Sequence, residues 1–163
     1  MNTNLSNLVA TSLGKVAVAD GTSEVLSAVE DMEGFDGIRY IVVFGDVDTA
    51  AVLTLQPKEN TANSTSSPTP TAVSVASGVV SGAVTAVVTT GASVITESGG
   101  NLDNKICIVD VLRSPISKRY HFLSITVADE SFEIVAIITE KYCTRSLPVS
   151  VDADVVSQVC KGT

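Results

Sequence analysis

Few residues in this 163-residue chain are of the types that carry chemistry: it has one His, three Cys and no Trp. A thiol beside an imidazole would make an activated nucleophile, and His121 with Cys107 or Cys143 is the only such pairing to consider. Spacing alone places neither thiol beside the ring; only neighbouring strands could. The plainer reading is a half-exposed His on a strand among aromatic residues. Cys107, Cys143 and Cys160 contain no C-x-x-C pair, and an odd number cannot all pair within one chain. They read as reduced, partly buried small apolar residues. Asp46-Val47-Asp48 puts two carboxylates on one face of a strand end, where they could touch Ca²⁺. No glycine-bounded loop or following Glu completes a dedicated site, so the pair reads as a solvated strand end. There is no glycine-rich loop followed by Lys-Ser/Thr, no H-E-x-x-H, no G-x-S-x-G and no RNA-binding aromatic motif. The residues therefore predict no catalytic site, no metal site and no cofactor.

Charge narrows the field further. The net charge is −8 and charged residues make up only 17%. A negative chain is repelled by a phosphate backbone, so no nucleic-acid partner is expected. Asp20, Glu24, Glu30, Asp31, Glu33, Asp36, Asp46 and Asp48 fall in one stretch relieved by Arg39. Arg113, Lys118 and Arg119 form a small basic corner around Pro115. An acidic region and a basic corner on one molecule allow head-to-tail pairing of copies, if they are not simply solvated faces.

The elements that would position these residues are strands. About a quarter of the chain is Val plus Thr, and aromatics are 4%. Branched side chains suit a pleated surface and lose χ1 freedom in helices. The predicted strands are 15–19, 24–33, Ile38–Phe44, Ala50–Gln56 (stopped by Pro57), Ile106–Leu112, Tyr120–Val127 and Phe132–Thr139. For 24–33 the local pattern also fits a helix face. Tyr120–Val127 alternates, with Leu123, Ile125 and Val127 inward, and it reads as a hairpin with Phe132–Thr139 across the Asp129-Glu130-Ser131 turn. Gly34-Phe35-Asp36-Gly37 is a turn signal. From Asn60 to Ile95 there is no charge. Its first part reads as a loop; Ala72–Ile95 reads as short strands broken at Gly78, Gly82 and Gly91. That second part is long enough to cross a bilayer, but it is rich in Ser, Thr and Gly and has no flanking basic loop, so no membrane partner is expected. Asp152–Val159 reads as a short helix with Asp152 as N-cap. Strands separated by turns, with no long connecting helix, predict an all-β antiparallel sandwich or barrel-like domain. It carries an N-terminal arm (1–14), one β domain (15–149) with an inserted Val/Ser/Thr/Gly-rich loop and flap (59–104), and a C-terminal tail (150–163). The opening residues have no basic or long apolar region, so no secretory leader is expected.

Several segments in order resemble a group of small virion proteins of tailed bacteriophages, encoded beside the major capsid protein. These are Val18-Ala19-Asp20-Gly21, Met32-Glu33-Gly34-Phe35-Asp36-Gly37-Ile38, Val52-Leu53-Thr54-Leu55, Val109-Asp110-Val111-Leu112-Arg113-Ser114-Pro115, Arg119-Tyr120, Ile134-Val135-Ala136-Ile137, and Arg145 with Pro148 at the exit. The similarity covers roughly 15–58 and 105–149; the middle segment and the tail depart from it. The resemblance implies a non-enzymatic protein, made in the host cytoplasm, that decorates or cements the capsid exterior as a homotrimer. Its partners would be the major capsid protein and copies of itself. A ring-forming neck or tail component is the alternative. Contacts are expected outside the inferred core, at Leu5, Leu8 and Val9 of the arm, Val79, Val80, Val84, Val87 and Val88 of the flap, and Arg113, Lys118 and Arg119 of the basic corner.

Overall fold

The structure is a computed structural model that describes residues 9–70, 75–77, 95–98, 102–112, 118–128 and 130–142. The described residues carry twelve strands in two antiparallel sheets packed face to face, a β-sandwich. The strands are β1 (Ala10–Lys15), β2 (Val18–Gly21), β3 (Val25–Leu26), β4 (Glu30–Asp31), β5 (Gly37–Val47), β6 (Val52–Asn60), β7 (Thr69–Pro70), β8 (Val75–Ser77), β9 (Ile95–Ser98), β10 (Ile106–Leu112), β11 (Tyr120–Ala128) and β12 (Phe132–Tyr142). The first sheet runs β1-β12-β5-β10-β8, with β2 also on β12. The second runs β3-β11-β6-β7, with β4 also on β11 and β9 also on β6.

The period-two pattern of the strands decides what is buried. Ile38, Tyr40, Val42 and Phe44 of β5 face inward, as do Leu53 and Leu55 of β6, Cys107 and Val109 of β10, and Leu123 and Ile125 of β11. In β12 the register shifts between Ile134 and Ala136. That bulge places Ile134 and Ile137 both in the core, three residues apart, and lifts Val135 outward. The Gly34 turn forms as its residues dictate: Gly34 takes φ +85, and Phe35 N–H donates to the Met32 carbonyl at 3.1 Å.

Three expectations are corrected. Tyr120–Val127 and Phe132–Thr139 are not a hairpin. β11 pairs with β3, β4 and β6, while β12 pairs with β1, β2 and β5, so the short connection crosses between sheets. Residues 10–14 are not an arm: Ala10–Lys15 pairs along β12. The inserted segment starts late, because β6 runs to Asn60, and its described parts, β7, β8 and β9, are edge strands of both sheets. Asn60 also organises the loop after it: its Nδ2 donates to the carbonyls of Ser64 and Ser66, both at 2.8 Å. The helix over Asp152–Val159 lies outside the described residues.

Pro57 does not end β6, and the reason is geometric. It stands in register with Leu123. The Leu123 N–H donates to Ser27 Oγ and its carbonyl accepts from the Ser27 N–H, both at 2.9 Å, on the β3 side. Leu123–Pro57 is therefore a non-hydrogen-bonded pair that asks for no donor. On its other edge, Pro57 falls between the residues paired with β9 and those paired with β7. Replacing Pro57 with Ala is expected to change stability by no more than about 1 kcal/mol. Leu55→Ala, two residues earlier in the core, is expected to cost about 2–5 kcal/mol. Urea denaturation of the two variants measures the contrast.

Candidate functional site

The residues of chemical interest gather in a polar layer between the sheets. In the first sheet Ser12, Thr139 and Tyr40 lie in one inward register row across β1, β12 and β5. In the second sheet Glu30, His121 and Glu59 form the row across β4, β11 and β6. Ser12 Oγ donates to Glu30 Oε1 at 2.5 Å, and Lys141 Nζ stands 3.1 Å from Glu30 Oε2. The two rows thus face each other. Glu30, Glu59, His121 and Thr139 are all buried.

The charged groups in the layer are held by definite partners. A buried carboxylate is costly unless paired, and Glu30 has both a hydroxyl and an ammonium. Lys141 also donates to the Asp31 carbonyl at 3.3 Å and rests over the Phe35 ring. Burial pushes the Tyr40 hydroxyl well above the usual phenol range, and the Glu30 charge adds to the push. Tyr40 stays protonated. Burial lowers the His121 imidazole below its ordinary value; the Lys118 carbonyl and Glu59 oppose that fall. His121 Nε2 is 3.1 Å from the Lys118 carbonyl, so Nε2 carries the proton and donates. Glu59 Oε2 is 3.8 Å from the same nitrogen. Tyr40 Oη, His121 Nδ1 and Thr139 Oγ1 are buried with no hydrogen-bond partner among the described residues. His121 is 0% exposed, which corrects the half-exposed reading. Such a ring can take up a proton but has no face to offer a substrate. Cys107 is fully buried in the opposite sheet, in register with Val42; Cys143 and Cys160 lie outside the described residues.

A second polar region sits at another end of the sandwich. Asp46, Asp48, Asp103 and Glu133 line a hollow of about 460 Å³ with Thr49 and Ser131. Two of these carboxylates accept from backbone amides, one within its own turn and one across neighbouring strands. Asp48 Oδ1 accepts from the Ala50 N–H at 2.9 Å, and Glu133 Oε2 accepts from the Asp46 N–H at 3.2 Å. Among the described residues no group of three or more His, Cys, Asp or Glu is placed to hold a metal ion.

The acidic stretch and the basic corner meet within the chain. Arg119 Nε and Nη2 grip both oxygens of Asp31 at 2.8 and 2.6 Å, and Nη2 is 2.5 Å from Glu33. That guanidinium holds the Asp31 carboxyl below the usual range. Lys58 Nζ pairs with Glu24 at 2.8 Å, and Lys118 Nζ donates to Thr69 Oγ1. Lys118 and Arg119 are thus engaged at home. Of the other expected contact residues, Val9 is half-buried just before β1. Leu5, Leu8, Val79, Val80, Val84, Val87, Val88 and Arg113 lie outside the described residues.

The outer faces of the two sheets differ in kind. On the first sheet Leu13, Ile138, Ile41 and Ile108 form one outward row, and Ala136, Val43 and Ile106 the next. Leu13 and Ile106 are each 39% exposed and Val135 is 47% exposed; none of the others is buried. A charged row closes one end: Arg39 binds Asp110 through two bonds, 2.8 and 3.2 Å, and lies 3.8 Å from Glu140. Glu133 and Asp46 close the other. The outer face of the second sheet is mixed: Thr54, Gln56, Lys58, Tyr120 and Thr126 stand beside exposed Val52 and buried Phe122. Sequence reasoning missed both features. Carrying the alternation of β6 past Pro57 to Glu59 would have found the buried carboxylate.

Compared with known proteins, the chain matches no protein-family model and no curated protein. No helix among the described residues is long and apolar enough to cross a membrane.

The polar layer predicts acid sensitivity. A His held neutral below its ordinary value of about 6.5 contributes stability that is complete above that pH and falls as the pH drops beneath it, because the unfolded chain takes up the proton first. The urea midpoint is expected to decline between pH 7 and 5, by at most about 1.4 kcal/mol per pH unit for one proton. His121→Gln should flatten that decline. The carboxyls of Glu24 and Asp31, both lowered by their partners, should leave a separate decline near pH 4 in wild type and variant alike.

Proposed function

We propose that this chain is a non-enzymatic virion structural protein that decorates or cements the exterior of a tailed-phage capsid shell, working as a homo-oligomer. The observation that carries the reading is the one-sidedness of the sandwich. One outer face has a broad apolar band with charged ends, and the other is mixed and mostly polar. Contiguous apolar surface on a folded domain marks an interaction site, and a flat sheet face suits a large, repetitive surface better than a small molecule. The buried polar layer supports the same reading, since its titratable groups point between the sheets instead of into an open cleft. The neutral insertion adds edge strands to both sheets, giving backbone edges that a lattice can cover. The resemblance to the small virion proteins, carried by the ordered motifs from Val18 to Pro148, supplies the shell as partner. In this role the chain is made in the host cytoplasm and meets the major capsid protein on the outside of the head.

The test is where the protein sits. An antibody to the chain is expected to label the heads of particles that carry it. Mild denaturant should release it from purified heads while leaving the shells intact. Recovery with tails alone would overturn the reading.

A further inference from the structure

We propose that the outer face of the first sheet, centred on Ile41 and Ile138, is the contact between two copies of this chain, packed sheet on sheet about a two-fold axis that runs along the strands between β5 and β12. The inference rests on the assembly reading and narrows it: this face joins copies in pairs, where the resemblance implied a three-fold set.

Three observations converge on a second copy. The first is that, among the described residues, nothing is packed over the face as the second sheet is over the inner one. Inner-face residues of the same strands, such as Ile38 and Val42, are 0% exposed, whereas their outward neighbours Ile41, Val43, Ile108 and Ile138 all keep exposed surface. The second is size. Four strands spaced about 4.8 Å apart, over about eight residues of 3.3 Å, give roughly 500 Å² of sheet per copy. A pair then covers about 1,000 Å², the area a specific interface needs. Its apolar centre and charged ends have the layout of such an interface.

The third observation is self-complementarity. A two-fold along the strands keeps every register row over itself and exchanges β5 with the partner's β12, and β10 with the partner's β1. Ile41 then lies over the partner's Ile138, Ile108 over the partner's Leu13, and Val43 over the partner's Ala136. In the charged row the same operation sets Arg39 over the partner's Glu140, and Glu140 over the partner's Arg39. Arg39 already shares its charge with Asp110 and Glu140 at home, and Asp110 holds its guanidinium above the usual range, so it stays ionised. An axis laid across the strands would instead set each strand over itself, bringing Glu140 of β12 over the partner's Glu133, carboxylate against carboxylate, with Arg39 of β5 over the partner's Asp46. Sheets that pack with their strands nearly aligned are a common arrangement.

Sedimentation equilibrium of the full chain tests this. The wild type is expected to run at about twice the chain mass at tens of micromolar, and Ile41→Lys at the monomer mass with an unchanged far-UV spectrum. A wild type that remains monomeric at 100 µM, or an Ile41→Lys variant that dimerises as tightly as wild type, overturns the proposal. A charge exchange covers the case in which Ile41→Lys does not fold. Arg39→Glu alone and Glu140→Arg alone should each weaken pairing at least tenfold, and a mixture of the two should restore it, because each chain then meets its opposite. No recovery in the mixture overturns the two-fold. Binding of the chain to heads is scored separately: a monomer that still decorates shells defeats the pairing and leaves the capsid reading standing.

Discussion

The pairing of β5 with β12 is the contact on which the sandwich depends. Nine register pairs join them, from Phe132 with Val47 to Tyr142 with Gly37. Everything else in the first sheet hangs from these two strands: β1 and β2 on β12, β10 on β5. Close approach at the ends confirms how tightly they lie. The Tyr142 ring covers Gly37, and the Glu133 side chain covers Gly45, where any Cβ would collide. Each strand also carries apolar residues on both faces: Ile38, Val42 and Phe44 inward and Ile41 and Val43 outward in β5, Ile134 and Ile137 inward and Val135 and Ile138 outward in β12. A strand covered on both faces reads as a continuous apolar run, and β5 has that sequence although, among the described residues, a second sheet covers only one of its faces.

This double character explains what was legible in the sequence. Branched, nearly unbroken runs such as Ile38–Phe44 and Ile134–Ile137 announced strands, and turn residues at Gly34 and Asp129–Ser131 announced their ends. The all-β class followed. Partners did not, because alternation tells which residues share a face, never which strand lies beside them. Tyr120–Ala128 and Phe132–Tyr142 sit next to each other in the chain, yet each found longer partners in opposite sheets. Pro57 was misread for a related reason. A missing N–H matters only at a hydrogen-bonded position, and register, a tertiary property, decided that it was not one.

The polar layer was illegible for a deeper reason. Ser12, Glu30, Tyr40, His121 and Lys141 are spread over five strands, and nothing in their spacing links them. His121 could be placed on the inward face beside Leu123, but its neighbours Glu30 and Glu59 come from different parts of the chain. Only when both sheets are in register do a carboxylate, an ammonium and a hydroxyl converge. A buried pair of this kind adds little net stability over an apolar substitute, because desolvation offsets the attraction.

Its value lies in choosing between alternatives. The first sheet could bury either apolar face against the second, since both present rows of Ile and Val. The inner face carries Ser12, with Lys141 reaching Glu30, and so offers that carboxylate its donors. The outer face carries Arg39, already satisfied by Asp110 and Glu140. Turning that face inward would bury three charges beside Glu30 and Glu59, leave an excess of carboxylates in the core, and strip Glu30 of Ser12 and Lys141. A penalty of several kcal/mol for each unpaired buried charge exceeds any difference in apolar area between two such similar faces. The layer therefore decides which apolar face the sandwich keeps for its own core and which it presents outward, and the surface available to a partner is a consequence of where Glu30 finds its donors.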